Sequence, residues 1–464
     1  MVSAALISTL ILMLFLKAPV IIAMGMSVLV GCLLGDLPIY LIAQGVIDGA
    51  TSWSLLSIFF FMMAGNIMGA CGVADQIFKF ANACVGHWPG GLAHVNCLCS
   101  MVFAGISGAA AADCAALGPI EIKSMTDNGY DLSYSTGITL ASSMVGPIIP
   151  PSVFFIMFGV VTNTSISKLF IAGIIPGAVI SFSLMAVCAR ISIKRPHIFP
   201  RGTYTPMKDR WHIFKKSAWA LLAPVIIIIG MTSGSVSPTE AGVVAVLYSL
   251  LLGTIYRTLN WKSLWNAVKD SMTMAASSLI LFGFASTMSY ILTMEMLPNK
   301  LAILILSLTQ NKYLILILID VLLLILGCFM SASSAMILIT PILLPLMEKL
   351  GVSTIQLGVL MCFALTIGIA TPPVGMGLYI LADITHQKNR GSFQRFYAFF
   401  PRADHYASRV DTCSTNLYMV TELFAALRIF FHFCKCPAFL RNQEKRRLFC
   451  DFKSPKDCCF IPSR

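Results

Sequence analysis

"SSMVGPIIPPSVFFIMFG", Ser142 to Gly159, is apolar enough to lie in a bilayer, yet it carries Pro147, Pro150 and Pro151 near its middle. Proline lacks the backbone N–H and its ring clashes with the preceding turn, so a continuous helix is blocked where hydropathy most favours one. In hydrocarbon a backbone group without a partner costs several kcal/mol, and broken backbone survives only where protein, water or an ion meets it. The stretch therefore predicts two half-helices meeting at a built polar site.

The rest of the chain agrees with a membrane setting. Of 464 residues, 57% are hydrophobic and 11% charged, against about 25% charged in soluble domains. Apolar runs recur at 4–34, 52–70, 135–160, 168–190, 217–232, 239–256, 272–293, 313–330 and 355–382, near the roughly 20 residues that span hydrocarbon. The fold class is an all-α polytopic membrane protein. The N-terminal run lacks a basic leader region and stays apolar past Lys17, so it reads as a retained segment rather than a signal peptide. The formal charge of +12 lies mostly between the runs, where the positive-inside rule accounts for it and no nucleic-acid partner is required. The 15 cysteines are scattered, many inside apolar runs such as Cys32, Cys71 and Cys362, and read as small buried hydrophobes rather than a zinc or disulfide framework. No nucleophile–base pattern, phosphate loop or HExxH occurs, and "AGISGAA" lacks the GxSxG spacing. An enzyme is not expected, nor a cofactor beyond a coupling ion.

"GISGAAAADCAALGP", from Gly105, has a counterpart in "GCFMSASSAMILITP", from Gly327, at an offset of 222 residues. The same offset pairs Pro119 with Pro341, Gly129 with Gly351, Gly146 with Gly368, and Pro150-Pro151 with Pro372-Pro373. Two repeats follow, 1–160 with a hairpin at about 91–123, and 223–390 with a hairpin at about 313–345, joined by 161–222, which holds an extra span and a basic loop. Breaks at corresponding places in two repeats mark the binding site of a secondary transporter. The basic loops Arg190–Lys216 and Arg257–Lys269 are both expected on the cytoplasmic side with two spans between them, which makes the repeats inverted. Between them, "SGSVSPTEAG" reads as a helix start, with Ser237 as cap, Pro238 in first place and Glu240 closing a capping box.

Half-helix C-termini and hydroxyls suit Na+, and half-helix N-termini suit an anion. The polar atoms near the breaks are Ser107, Asp113, Thr139, Ser142, Ser143 and Ser152 in the first repeat, and Ser331, Ser333, Ser334, Thr340, Thr366 and Thr371 in the second. Gly108 and the alanines after it permit close backbone approach. Asp113 reads as the only acid in the apolar part of the first hairpin, either functional or a helix cap. The candidate substrate and ion set is Ser107, Gly108, Asp113, Ser142, Ser143, Gly146, Pro150 and Pro151 with Ser331, Ser333, Ser334, Gly368, Thr371, Pro372 and Pro373.

"GGLAHVNCLCSMVFAGISGAAAADCAALGPI", "SSMVGPIIPPSVFFIMFGV", "SKLFIAGIIPG", "SPTEAGVVAVLYSLLLG" and "GIATPPVG" together resemble the large permease subunit of tripartite ATP-independent periplasmic (TRAP) transporters, the DctM-like group, over about residues 1–390. The resemblance implies an elevator-type, Na+-driven importer of an organic acid in a bacterial inner membrane. It also implies a periplasmic substrate-binding protein and a small four-helix, DctQ-like membrane subunit as partners. By position it implies Na+ near Ser107 and Gly146, and near Ser331, Gly368 and Thr371. A C4-dicarboxylate, a sialic acid and a sugar acid stay open as substrates. A self-sufficient Na+/carboxylate carrier of related fold is the other reading, and a membrane enzyme or channel a remote one. Ser331 stands where such permeases usually carry an acid. From 391 to 464 the chain departs from the family, with clustered Arg, Lys and Cys and no long apolar run. That tail reads as an altered or frameshifted end, expected to be disordered, with a genuine basic cytoplasmic tail as the alternative.

Overall fold

A computed structural model of the chain describes residues 2–16, 18–51, 55–194, 199–200, 202, 204, 206–297, 300, 311–370 and 376–385. Thr371, Pro372, Pro373 and the tail 391–464 lie outside the described residues. Among the described residues every regular element is a helix. Five are long and apolar enough to cross a membrane, namely Ile166–Lys194, Met207–Thr232, Pro238–Ile255, Trp261–Met294 and Ala332–Lys349. Leu56–Ala70 and Val73–Val85 form a sixth candidate, bent by 70° at Gly72, whose φ of +70° is left-handed.

The apolar runs that look single in the sequence split where proline dictates. The run 4–34, expected as one span, is two helices, Val2–Phe15 and Val20–Leu34, with Pro19 capping the second. They fold back on each other, and Ser27 Oγ donates to Leu6 O at 2.7 Å. The run 135–160 divides into Leu132–Ser143 and Val153–Thr162, and 355–382 into Thr354–Gly368 and Met376–Ile384.

Helix boundaries repeat at the sequence offset. Adding 222 to Ala110–Asp127 gives 332–349, the bounds of Ala332–Lys349, and adding it to Gly91–Ser107 gives 313–329, against Lys312–Phe329. Val153–Thr162 maps likewise onto 375–384, against Met376–Ile384.

The broken segments lie at the centre. Every residue from Val153 to Gly159 and from Leu357 to Gly368 is buried. Met207–Thr232, in contrast, exposes Trp211, Trp219, Leu222, Val225, Ile226 and Ile229, the apolar outer face that lipid would cover. Unpaired backbone is thus kept from hydrocarbon and long continuous helices face it.

The capping box forms as the sequence dictates. Glu240 N donates to Ser237 Oγ at 3.3 Å and Ser237 N donates to Glu240 Oε2 at 2.7 Å. The helix it starts, Pro238–Ile255, packs on Leu56–Ala70 where a Cβ on Gly242 would stand 2.8 Å from Phe60 Cβ. Replacing Ser237 by Ala should destabilise the protein by about 1 kcal/mol, while Ser237→Asp should keep the cap. Thermal unfolding in detergent reads the difference.

Candidate functional site

The first hairpin is the pair Gly91–Ser107 and Ala110–Asp127. Its tip turns at Gly108, left-handed at φ +61°, and extended Ala109. The tip is pressed against the break of its own repeat. Val153 N donates to Gly108 O at 3.3 Å, and a Cβ on Gly108 would stand 2.4 Å from Pro151 O. Gly65 touches the tip from Leu56–Ala70, its Cβ position lying 3.1 Å from Ser107 Cα.

The break is held by local bonds. Gly146 N donates to Ser143 O at 3.0 Å, and Ile148 N and Ile149 N both donate to Val145 O. Ser152 caps the next helix, accepting from Phe155 N at 3.2 Å and donating to Pro147 O. Pro150 and Pro151 thus end one half-helix and clear the way for the next, with a hydroxyl satisfying the freed groups.

Asp113 sits where these pieces meet. It is buried, and its Oδ1 accepts from Ser107 Oγ across the tip. It does not cap the helix, since the cap position belongs to Ala109, which offers no side-chain bond. Its Oδ2 has no hydrogen-bond partner among the described residues. That oxygen is 2.6 Å from where a Cβ on Gly146 would be. Ser107, Gly108, Asp113, Gly146 and Pro151 are therefore brought together, with a carboxyl oxygen unspent beside bare backbone.

The second hairpin, Lys312–Phe329 with Ala332–Lys349, repeats the shape with different chemistry. Ser331 caps its second arm and accepts from Ser334 N at 3.3 Å. Its Oγ also meets Ser334 Oγ at 2.5 Å and Ser333 Oγ at 3.4 Å. Gly327 and Gly368 touch backbone to backbone, a Cβ on Gly368 falling 2.3 Å from Gly327 C. Thr340 and Thr366 donate to carbonyls of their own helices, Met336 O and Cys362 O, each at 2.5 Å. The helix before the second break reaches the first break, where Cys362 Sγ donates to Pro147 O at 3.1 Å.

Ser142 and Ser143 lead away from the tip into a buried polar chain. Ser142 Oγ donates to Asn96 Oδ1 at 2.6 Å, Ser100 Oγ to Ser142 Oγ at 2.9 Å, and Asn96 Nδ2 to Thr139 Oγ1 at 2.7 Å. Cys114 Sγ donates to Ser143 Oγ at 3.1 Å. Asp113 is not the only acid here, contrary to the sequence reading. Glu121, eight residues further on the same helix, is fully buried. Its polar followers, "KSMTDNG", make the helix end look solvated, yet Glu121 faces inward. Its spacing from Cys114, two turns along one face, is the signal that places it there.

Residues 7–402 match the family model of the tripartite ATP-independent periplasmic transporter DctM component. The chain belongs to that family. It is 39% identical over 345 residues to the sialic acid TRAP transporter large permease SiaM of Vibrio cholerae, covering 74% of this chain and 80% of that one. It is 36% identical over 355 residues to the 2,3-diketo-L-gulonate TRAP transporter large permease YiaN of Escherichia coli, covering 75% and 82%. Among solved structures, the YdaH transporter of Alcanivorax borkumensis matches with a TM-score of 0.53 at 16% identity, covering 82% of this chain and 85% of that one, a likeness of fold. The DctM relatives are permeases rather than enzymes, and large permeases of this family work with a substrate-binding protein and a small membrane subunit.

The tip contact sets a test within this DctM chain. Gly108→Ala adds a Cβ at a left-handed φ and against Pro151 O, so it should displace the tip and lower uptake by about a hundredfold. Gly69→Ala adds the same atom at 3.5 Å from Ala116 Cβ, an ordinary contact, and should leave uptake near normal. Uptake per inserted protein, with size-exclusion profiles as a folding control, compares the two.

Proposed function

We propose that this DctM chain is the transport subunit of a Na+-coupled secondary transporter that imports an organic acid across a bacterial inner membrane, fed by a periplasmic binding protein. The observation that carries the reading is the first hairpin tip, where Ser107, Asp113 and bare glycine backbone converge on a proline-broken helix. Serine hydroxyls, a carboxyl oxygen and free carbonyls are hard oxygen donors of the kind Na+ takes up. The starts of Ala110–Asp127 and Ala332–Lys349 each offer a half-helix N-terminus, to which an organic carboxylate is attracted. Two hairpins with the same bounds at the 222 offset favour two repeats related by inversion, and two helices, Met207–Thr232 and Pro238–Ile255, fit between the basic loops as that orientation needs. In an elevator motion the hairpins and breaks would carry substrate while the long outer helices stay with the lipid.

The relatives' names favour a sialic acid or a sugar-derived acid as cargo. The reading is tested with the full chain and its small subunit in proteoliposomes under an inward Na+ gradient. Labelled sialic acid, diketogulonate and C4-dicarboxylates are each offered with and without a cognate binding protein. Uptake of one acid that needs both Na+ and its binding protein is the expected result. Uptake undiminished without the binding protein would instead identify a self-sufficient carrier. Ser107→Leu should raise the Na+ concentration for half-maximal uptake about tenfold, the loss of about 1.4 kcal/mol of ion binding. An unchanged Na+ dependence in correctly inserted protein removes Ser107 from the ion site.

A further inference from the structure

The first hairpin holds a carboxyl that the tip does not use. Glu121 lies on Ala110–Asp127 with 0% of its surface exposed, and the Thr139 hydroxyl that faces it makes no well-formed hydrogen bond to either of its oxygens. The ionisable side chains around it are Asp113 and Cys114 on its own helix and Cys97 and Cys99 on Gly91–Ser107, none of them basic. His94, near the start of that helix, lies edge-on to Trp88 instead. From Leu132–Ser143 the facing group is the Thr139 hydroxyl. Asp383 on Met376–Ile384, and Asp75 and Lys79 on Val73–Val85, are exposed.

A structural carboxylate in such a place is met by backbone donors or a basic side chain, because breaking a buried pair leaves a charge that costs several kcal/mol. Glu121 has neither. The fold does not require an acid at this position. At the 222 offset the second hairpin carries buried Leu343, in a helix of identical bounds. Asn96 and Thr139 are likewise replaced there by Leu318 and Met361. The three polar groups are present together in one repeat and absent together in the other.

We infer that Glu121, with Thr139 and Asn96 beside it, forms a second monovalent-cation site, taking H+ or Na+, about 12 Å along the helix from the Ser107–Asp113 tip. A carboxyl oxygen supplies the charge, and the Thr139 hydroxyl supplies a further oxygen. The Asn96 amide, bonded to Thr139 and Ser142, fixes that hydroxyl in place. The site deepens the transport reading but does not need it, because occupancy is read on the protein alone.

A ligand that binds only the folded state raises the melting temperature, so thermal unfolding reports the site directly. The full-length protein, Glu121→Gln and Glu121→Leu are purified in detergent and melted across a Na+ series at fixed pH, with choline as the balancing ion, and across a pH series at fixed Na+. The wild type should gain stability with rising Na+ or falling pH, and both variants should lose part of one dependence. Loss of the Na+ component identifies Na+, and loss of the pH component identifies H+. Wild-type and variant profiles that superimpose in both series overturn the inference. So does failure of both variants to fold, which would make Glu121 structural. Neither substrate nor binding protein enters the measurement, so a failed uptake assay and a failed cation site are told apart.

Discussion

Backbone amides and carbonyls freed by proline have to be met inside hydrocarbon, and in this protein glycine backbone meets them. Gly108 O takes the Val153 amide, and Gly327 lies against Gly368 with no room for a side chain between them. Each contact depends on a missing Cβ, since two ordinary residues cannot bring their main chains so close. The consequences run outward. The breaks have to be central, so the residues from Val153 to Gly159 and from Leu357 to Gly368 beside them are buried, and the long helices are left to face lipid. At the first tip this packing brings the Ser107 hydroxyl and the Asp113 carboxyl together.

Shape repeats in this chain, but polarity does not. The hairpin arms share bounds at the 222 offset, whereas Asp113, Glu121, Asn96 and Thr139 correspond to Ala335, Leu343, Leu318 and Met361. The repeats press different glycines into place, Gly108 against Pro151 and Val153 in the first and Gly327 against Gly368 in the second, and both hold buried carboxyls, Asp113 and Glu121 in the first and Asp320 in the second. In the second, Ser331, Ser333 and Ser334 bond largely to one another, and Thr340 and Thr366 turn to their own helices. Geometry is the shared property of the repeats, and the placing of the buried acids differs between them.

The parts legible in the sequence are those governed by local chemistry. Proline and glycine punctuation marks the breaks and the tips, and Ser237 with Glu240 announces a helix start, because each acts within a few residues of itself. The offset pairs distant segments because it needs only identity of type. The interruption at Pro19 was also visible in principle, but continuous hydropathy on both sides outweighs one proline in a window average. Glu121 was not legible for a different reason. Whether an acid near a helix end faces solvent or core depends on which helices wrap it, and here Gly91–Ser107, Leu132–Ser143 and Met376–Ile384 all pack around its arm. The link from Thr354–Gly368 to the first break, Cys362 to Pro147, likewise joins residues that no local rule connects.

That link bears on how such a molecule could move. Contacts made by bare backbone, such as Gly327 on Gly368, tolerate almost no sliding, because the atoms are already at the limit of approach. Contacts made by side-chain surface are more forgiving, and Gly105 of the first hairpin meets the ring of Pro224 on the outer helix Met207–Thr232 in this way. The first hairpin is therefore held to its own break through Gly108, the second hairpin to Thr354–Gly368 through Gly327, and Thr354–Gly368 to the first break and to Val153–Thr162 through Cys362 on Pro147 and Gly358 on Phe158. Under the proposed transport reading the first hairpin and its break would shift together, since opening that hairpin alone would strand the Val153 amide that Gly108 O accepts.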